Sequence, residues 1–345
     1  MVCRNSFQSK ELRGGEPIGL QLEAFWTPHT PKRTIRKQMK QEGCNLIVIL
    51  GPTASGKTRL AARLAKERVS EVISADSRQV YRGMDLGTGK DLAEFLVDGV
   101  AVPCNLIDLV DPGYEFNLFE YQQHFYRCFS ELSGRGIVPI MAGGTGLYIE
   151  SVVRGYAMLE VPGDPALRRK LGAMGMDALR ERLLRVNPAL HNTTDTGDRE
   201  RLVRAIEIAE YTKVHGGAGG PERPAVRPFV TGVRWERSVL RERITRRLAE
   251  RIDAGMIEEV RKLRDDGLSW ERLDSLGLEY RYVGRYLQGE MDFDEMFEQL
   301  NTRIHQFAKR QMTWFRGMAR RGVVIRWIDG ADYGALRALV EEHVG

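Results

Sequence analysis

The stretch NLIVILGPTASGKTRLAARLAKE, residues 45–67, decides the fold. Its first six residues include five consecutive aliphatic ones, the pattern of a strand buried on both faces. Its last eleven place Leu60, Ala61 and Leu64 at helical spacing. Between them Gly51-Pro52-Thr53-Ala54-Ser55-Gly56-Lys57-Thr58 satisfies G-x-x-x-x-G-K-[ST] in full. Glycines in such a loop let backbone N–H groups converge on phosphate oxygens. The lysine adds a point charge, and the threonine hydroxyl is a ligand for Mg²⁺. The start of the following helix adds its positive end. The reading is a diphosphate-binding loop; a nucleoside triphosphate, a kinase substrate or another diphosphate would each fit it.

Outward from this loop, EVISADS, AVPCNLIDLV, GIVPIMAGG and PFVTGVRW read as further strands, with helical stretches such as LFEYQQHFYRCFSEL between several of them. That alternation predicts an α/β fold, a parallel sheet flanked by helices. Residues 161–228 read as a helical insertion, the core as 44–160 and 229–345, and the region from Ser238 onward as mainly helical. Residues 1–43 carry eight basic and four acidic side chains and no periodicity. They read as a disordered arm, with Met39 as a candidate start and RNA contact as the sharper alternative. This arm accounts for most of the net charge of +5, so overall charge says little about partners. With 42% hydrophobic and 29% charged residues the chain can fill a core, which excludes wholesale disorder. Cys3, Cys44, Cys104 and Cys128 form no CxxC pair, which argues against structural zinc or a disulfide framework. No run of about 18 apolar residues occurs, and the expected compartment is the cytoplasm.

Asp76, in SADSRQVY at 74–81, stands at the carboxyl end of the second strand. That is the sheet edge where ligands bind in open α/β sheets. A helix cap is the other role for Asp76 or Ser77; proximity to the phosphate loop favours a functional carboxylate. Asp108 and Asp111 read equally as metal-side carboxylates or as turn residues. AGGTGLY, 142–148, suits close backbone approach and offers the Thr145 hydroxyl. Between Asn301 and Ile328 there are seven Lys/Arg and no acid. A helical wheel puts Ile304, Phe307, Ala308, Trp314, Phe315 and Met318 on one side. Arg303, Lys309, Arg310, Arg316, Arg320 and Arg321 share the other, a basic stripe suited to a phosphate backbone.

GPTASGKT, SADSRQVYRGMDLGTGK, LIDLVDP, GGTGLY, RLVRAIE and AKRQMTWFR, in that order, resemble the tRNA dimethylallyltransferase family over about residues 45–328. The resemblance implies a phosphate-loop NTPase-like fold and transfer of a dimethylallyl group from its diphosphate to the exocyclic amine of the adenosine 3′ of the tRNA anticodon. It implies Asp76 as general base, Lys57, Thr58 and Arg247 as catalytic partners, and Mg²⁺ on Thr58. Arg243, four residues before Arg247 on the same helical face, is the alternate for the diphosphate arginine. It further implies tRNA contacts at Asp76, Ser77, Arg78, Gln79, Thr145, Arg168, Arg201 and Arg204, alongside Lys309, Arg310 and Arg316 from the stripe. The acting unit is expected to be a monomer that takes dimethylallyl diphosphate and the anticodon stem-loop, with no membrane. Two segments depart from the family pattern. GLEYR at 277–281 stands where Gly-Tyr-Arg-Gln is usual, and LGTGKD at 86–91 replaces an alanine-and-proline version. Prenyl transfer to free adenine nucleotides would keep the loop and Asp76 but needs neither basic helix nor insertion. A phosphate-loop kinase, or an RNA-binding protein without prenyl chemistry, is the third reading.

Overall fold

Leu46–Leu50 are all completely buried, as a strand covered on both faces must be. Successive side chains point to opposite faces, so Ile47 and Ile49 join one apolar cluster while Leu46, Val48 and Leu50 join the other. The computed structural model describes residues 43–158, 160–187, 197, 199–215 and 223–344. The proposed arm, but for Gly43, and the Gly-rich 216–220 stretch lie outside the described residues.

From β1 (Leu46–Leu50) the chain runs through α1 (Lys57–Glu67), β2 (Val72–Ala75), a 3₁₀ turn (Leu92–Phe95), β3 (Leu96–Val97), β4 (Val100–Ala101) and β5 (Cys104–Asn105). There follow α2 (Leu118–Gly134), β6 (Ile140–Gly143), α3 (Gly146–Val153), α4 (Pro165–Gly172), α5 (Met176–Val186), α6 (Arg199–His215) and β7 (Pro228–Arg234). The last part holds α7 (Arg237–Asp253), α8 (Met256–Asp265), α9 (Trp270–Leu276), α10 (Leu278–Leu287), α11 (Phe293–Arg320), β8 (Ile325–Asp329) and α12 (Tyr333–Val344). The main sheet has the order β5-β2-β6-β1-β7-β8 with every pairing parallel.

Register fixes the working edge. Leu50 lies opposite Gly143, and Gly143 opposite Ala75. The chain therefore leaves β1, β6 and β2 in one row, and the outer two exits are two strand spacings, about 10 Å, apart.

Two expectations are corrected. AVPCNLIDLV is not one strand: Val100–Ala101 pairs with β3 in a small hairpin, and only Cys104–Asn105 joins the main sheet. Pro103 separates the two pieces, and Leu106 and Asp108 take left-handed backbone conformations that end the pairing. The basic helix does not reach Ile328. It stops at Arg320, Gly322 turns the chain at φ 98°, and Ile325–Asp329 becomes the edge strand on β7.

Helices α4, α5 and α6 close on a small core of their own, Leu171, Leu179, Leu183, Leu202, Ala205 and Ile206. Glu207 on α6, 2% exposed, ties α4 to α6. It accepts from the Asp164 N–H (3.0 Å), from Arg168 (2.7 and 2.9 Å) and from Arg204 (3.1 Å).

Glu150 on α3 plays the same part for α11. At 1% exposure it accepts from Trp314 Nε1 (2.9 Å) and from Arg321 Nε and Nη2 (2.6 and 2.7 Å). Removing Glu150 leaves the Trp314 N–H without its acceptor and frees the Arg321 guanidinium, which is 44% exposed, to water. Glu150→Ala is expected to cost about 1–2 kcal/mol of stability, read from urea unfolding, and Glu150→Gln less.

Candidate active site at the carboxyl edge of the sheet

The loop after β1 turns through Ala54 (φ 59°) and Gly56 (φ 85°), both left-handed. Its carbonyls are held by side chains from α7 and the residues before it. Trp235 Nε1 donates to Ser55 O at 3.0 Å, and Arg243 Nε to Ala54 O at 2.9 Å, with the guanidinium 4.5 Å over the Trp235 ring. Lys57 Nζ donates to Pro52 O at 3.3 Å. Thr58 follows in the first turn of α1. The buried Ser55 Oγ has no hydrogen-bond partner among the described residues.

Asp76 leaves the end of β2, where its Oδ1 accepts from the Arg78 N–H at 2.9 Å. Thr145 Oγ1 accepts from the Ser77 N–H at 3.0 Å, joining the β2 and β6 exits. Gln79 accepts from Ser74 Oγ (2.9 Å) and donates to Gly89 O (3.0 Å), so its amide is spent inside the protein. Arg78 is half-buried, with Tyr81, Tyr148 and Asp76 in its surroundings; burial lowers its pKa.

Lys57, Asp76 and Arg247 share one electrostatic neighbourhood. Burial lowers the Lys57 ammonium to about 8, and Arg247 adds to that effect. Asp76, Asp91 and Glu94 oppose it. Burial, then Arg251, lowers the Arg247 guanidinium, while Asp91 and Glu94 counter. Glu94 and Glu279 are both pushed up, chiefly by burial. Arg243 and Arg247 thus both stand at the loop, the first on its backbone and the second beside Lys57. The two aspartates after the third predicted strand face elsewhere. Asp108 pairs with the buried Lys90, and Asp111 with Arg82 at 3.0 Å on the surface.

The residue that sequence reading passed over is Gln311. At 6% exposure, its Oε1 accepts from the Thr53 N–H (2.8 Å) and its Nε2 donates to Gly144 O (2.9 Å). A side chain on α11 thereby joins the phosphate loop to the exit of β6. The glycines of AGGTGLY make room for it: a Cβ at Gly144 would overlap the Gln311 amide, and one at Gly146 the Trp314 ring. The only advance signal was a polar residue on the apolar side of an amphipathic helix.

Lys309, Arg310, Arg316 and Arg320 are exposed on α11 and form no ion pair among the described residues. Two assignments on this helix are corrected. Phe307 is 38% exposed, with the Arg310 guanidinium 5.8 Å from its ring centre, and Arg321 leaves the stripe for Glu150. Phe315 is fully buried and Trp314 half-buried. Arg168 and Arg204 point their guanidiniums at Glu207, and Arg204 also donates to Val161 O at 2.6 Å. Arg201 is half-buried on α6.

Among the described residues no three His, Cys, Asp or Glu side chains converge as a metal site. The side-chain oxygens of the loop are the hydroxyls of Thr53, Thr58 and the partnerless Ser55. That set fits Mg²⁺, which keeps several waters and takes further ligands from substrate phosphate.

The family described as isopentenyl transferase matches residues 44–99, and that described as IPP transferase matches residues 79–318. The tRNA dimethylallyltransferase 1 of Syntrophus aciditrophicus (strain SB) is 58% identical over 293 residues, covering 85% of this chain and 96% of that protein. The protein of that name from Geotalea daltonii is 55% identical over 287 residues, covering 83% and 91%. Among solved structures, the tRNA isopentenylpyrophosphate transferase of Bacillus halodurans superposes with a TM-score of 0.61 at 32% identity, covering 87% of this chain and 97% of that one. A eukaryotic dimethylallyltransferase acting on tRNA shares the fold, with a TM-score of 0.70 at 19% identity and coverage of 87% and 77%.

Gln311→Ala strands the buried Gly144 carbonyl, at about 1–3 kcal/mol, and frees the part-buried Thr53 N–H. Its affinity for inorganic pyrophosphate with Mg²⁺, measured by calorimetry, is expected to fall about tenfold. Unchanged affinity would make the tie incidental to the loop.

Proposed function

The chain belongs to the tRNA dimethylallyltransferase family, and from that premise we propose how its residues carry a dimethylallyl group from dimethylallyl diphosphate to tRNA. The observation behind this reading is the row of strand exits. It sets the phosphate loop and Asp76 about 10 Å apart, beneath a helix whose exposed face is basic. The acceptor is the exocyclic amine of the adenosine 3′ of the anticodon.

The diphosphate seats on Gly51–Thr58. As the carbon–oxygen bond breaks, charge grows on the diphosphate, and the loop N–H groups, Lys57 and Arg247 are placed to stabilise it. Thr58 would hold Mg²⁺, which when bound would further neutralise that charge. The developing allyl cation is met by the adenine amine, the new carbon–nitrogen bond forms, and the amine proton passes to Asp76. An aromatic amine is a weak nucleophile, so orientation by a fixed carboxylate matters as much as proton removal. The target base must leave its stack to reach Asp76; Ser77, Arg78 and Thr145 stand beside that point, and Gln79 supports the turn from inside. Ser77 and Thr145 form its wall through their mutual hydrogen bond, and Arg78 brings a cation beside the carboxylate. Lys309, Arg310 and Arg316 hold tRNA phosphates along α11. The α4–α6 unit grips the anticodon stem, with Arg168 and Arg204 setting its shape through Glu207 and Arg201 on the same helix.

No helix is long and apolar enough, among the described residues, to cross a membrane.

Asp76→Ala is expected to retain tRNA binding and lose turnover by about 10²–10⁴, measured as prenylated adenosine in digested tRNA. Retained turnover would remove Asp76 from the base role. Neutralising Arg316 and Arg320 should weaken tRNA binding and flatten the slope of log K against log salt by about 0.7–0.9 for each phosphate no longer neutralised. An unchanged slope would return both residues to the solvated surface.

A further inference from the structure

We propose that Asp91 is a positioning residue for the diphosphate subsite, holding Arg247, together with Arg251, beside the phosphate loop. The proposal rests on the reading of Arg247 as a diphosphate contact.

The Asp91 carboxylate accepts from Arg247, and from Arg251 Nη2 at 3.4 Å. Arg247 lies close enough to affect the charge of the Lys57 ammonium, and Arg251 close enough to affect that of Arg247. Neighbouring cations in a half-buried space repel, and arginine side chains have several rotatable bonds along which to separate. One carboxylate between the two arginines removes that tendency and fixes the orientation of Arg247. Arg251 is the more enclosed of the pair, 12% exposed against 25%, and its buried Nε has no hydrogen-bond partner among the described residues. Without Asp91 it would be a charge held only by more distant groups.

The loop that presents Asp91 is itself fixed. Glu259 accepts from the N–H groups of Asp85, Leu86 and Gly87 at 2.7–3.0 Å, and from the Tyr280 hydroxyl at 2.7 Å. Lys90, 1% exposed, donates to Asp85, Asp108 and Tyr81 O. Gly89, at φ 64°, lets Arg251 pass where a Cβ would overlap its guanidinium. The two segments that depart from the family pattern therefore meet here. LGTGKD brings Gly89 and Asp91, while GLEYR brings Tyr280 under the loop and Glu279 into the field of Arg251 and Arg247. The departures form one compensated cluster of charges around the arginine.

The test is steady-state prenyl transfer by the full chain, varying dimethylallyl diphosphate and tRNA separately. Asp91→Ala should lose about 10- to 100-fold in kcat/KM for dimethylallyl diphosphate, with KM for tRNA unchanged. Adding Arg251→Met should recover part of that loss, because the repelling cation is gone; a merely structural carboxylate would show no such recovery. Should Asp91→Ala fail to fold, Asp91→Asn, equal in shape, carries the same expectation. Arg247→Ala separates the two claims. If it leaves diphosphate kinetics intact, the subsite reading fails. If it loses activity while the Asp91 variants do not, or if Arg251→Met gives no recovery, Asp91 is not a positioning residue.

Discussion

Everything in the site depends on how α11 is seated over the ends of β1 and β6. Two backbone groups there, the Thr53 N–H and the Gly144 carbonyl, are satisfied by the single amide of Gln311. The seat is narrow because Gly144 and Gly146 have no side chains to keep the helix away. Glu150 then locks the far end through Trp314 and Arg321. Since the opposite face of the same helix carries the exposed basic residues, the proposed tRNA-facing surface and the phosphate loop are two sides of one rigid element.

That arrangement explains why a transferase with so large an acceptor can use so small a reacting centre. The diphosphate end is organised by a local motif, a strand followed by a tight turn and a helix start. The proposed acceptor end is one carboxylate, Asp76, two strands away. Neither could select a tRNA by itself. In the proposed reading selection falls to the basic helix and to the α4–α6 unit, which has a small core of its own.

How much of this was legible in the sequence follows from the range of each interaction. The phosphate loop and Asp76 were readable because each is defined by its immediate neighbours, an apolar strand on one side and a turn on the other. The amphipathic pattern of α11 was readable for the same reason. Gln311 and Glu150 were not, because the partners that matter lie elsewhere in the chain: Gln311 meets Thr53 from 258 residues away, and Glu207, three residues from Arg204, gains Arg168 only in the fold. Arg168 and Arg204 look like solvent-facing helix charges until the fold brings Glu207 between them. Strand β8 was hidden behind a basic run that local periodicity continued as helix, although Gly322 and the β-branched residues after it mark the change. The LGTGKD and GLEYR departures looked independent in sequence, and only the fold shows that they share the same two arginines.

The most direct test of the central claim is an acceptor competition. Purified protein with Mg²⁺ and dimethylallyl diphosphate would be offered unmodified tRNA bearing adenosine 3′ of the anticodon and, separately, AMP. Mass spectrometry of digested nucleosides and of the nucleotide pool would report the product. Prenylated adenosine from tRNA alone is the predicted result, with the basic face of α11 as its reader. Efficient prenylation of AMP would contradict it, since a free nucleotide needs neither that helix nor the α4–α6 unit.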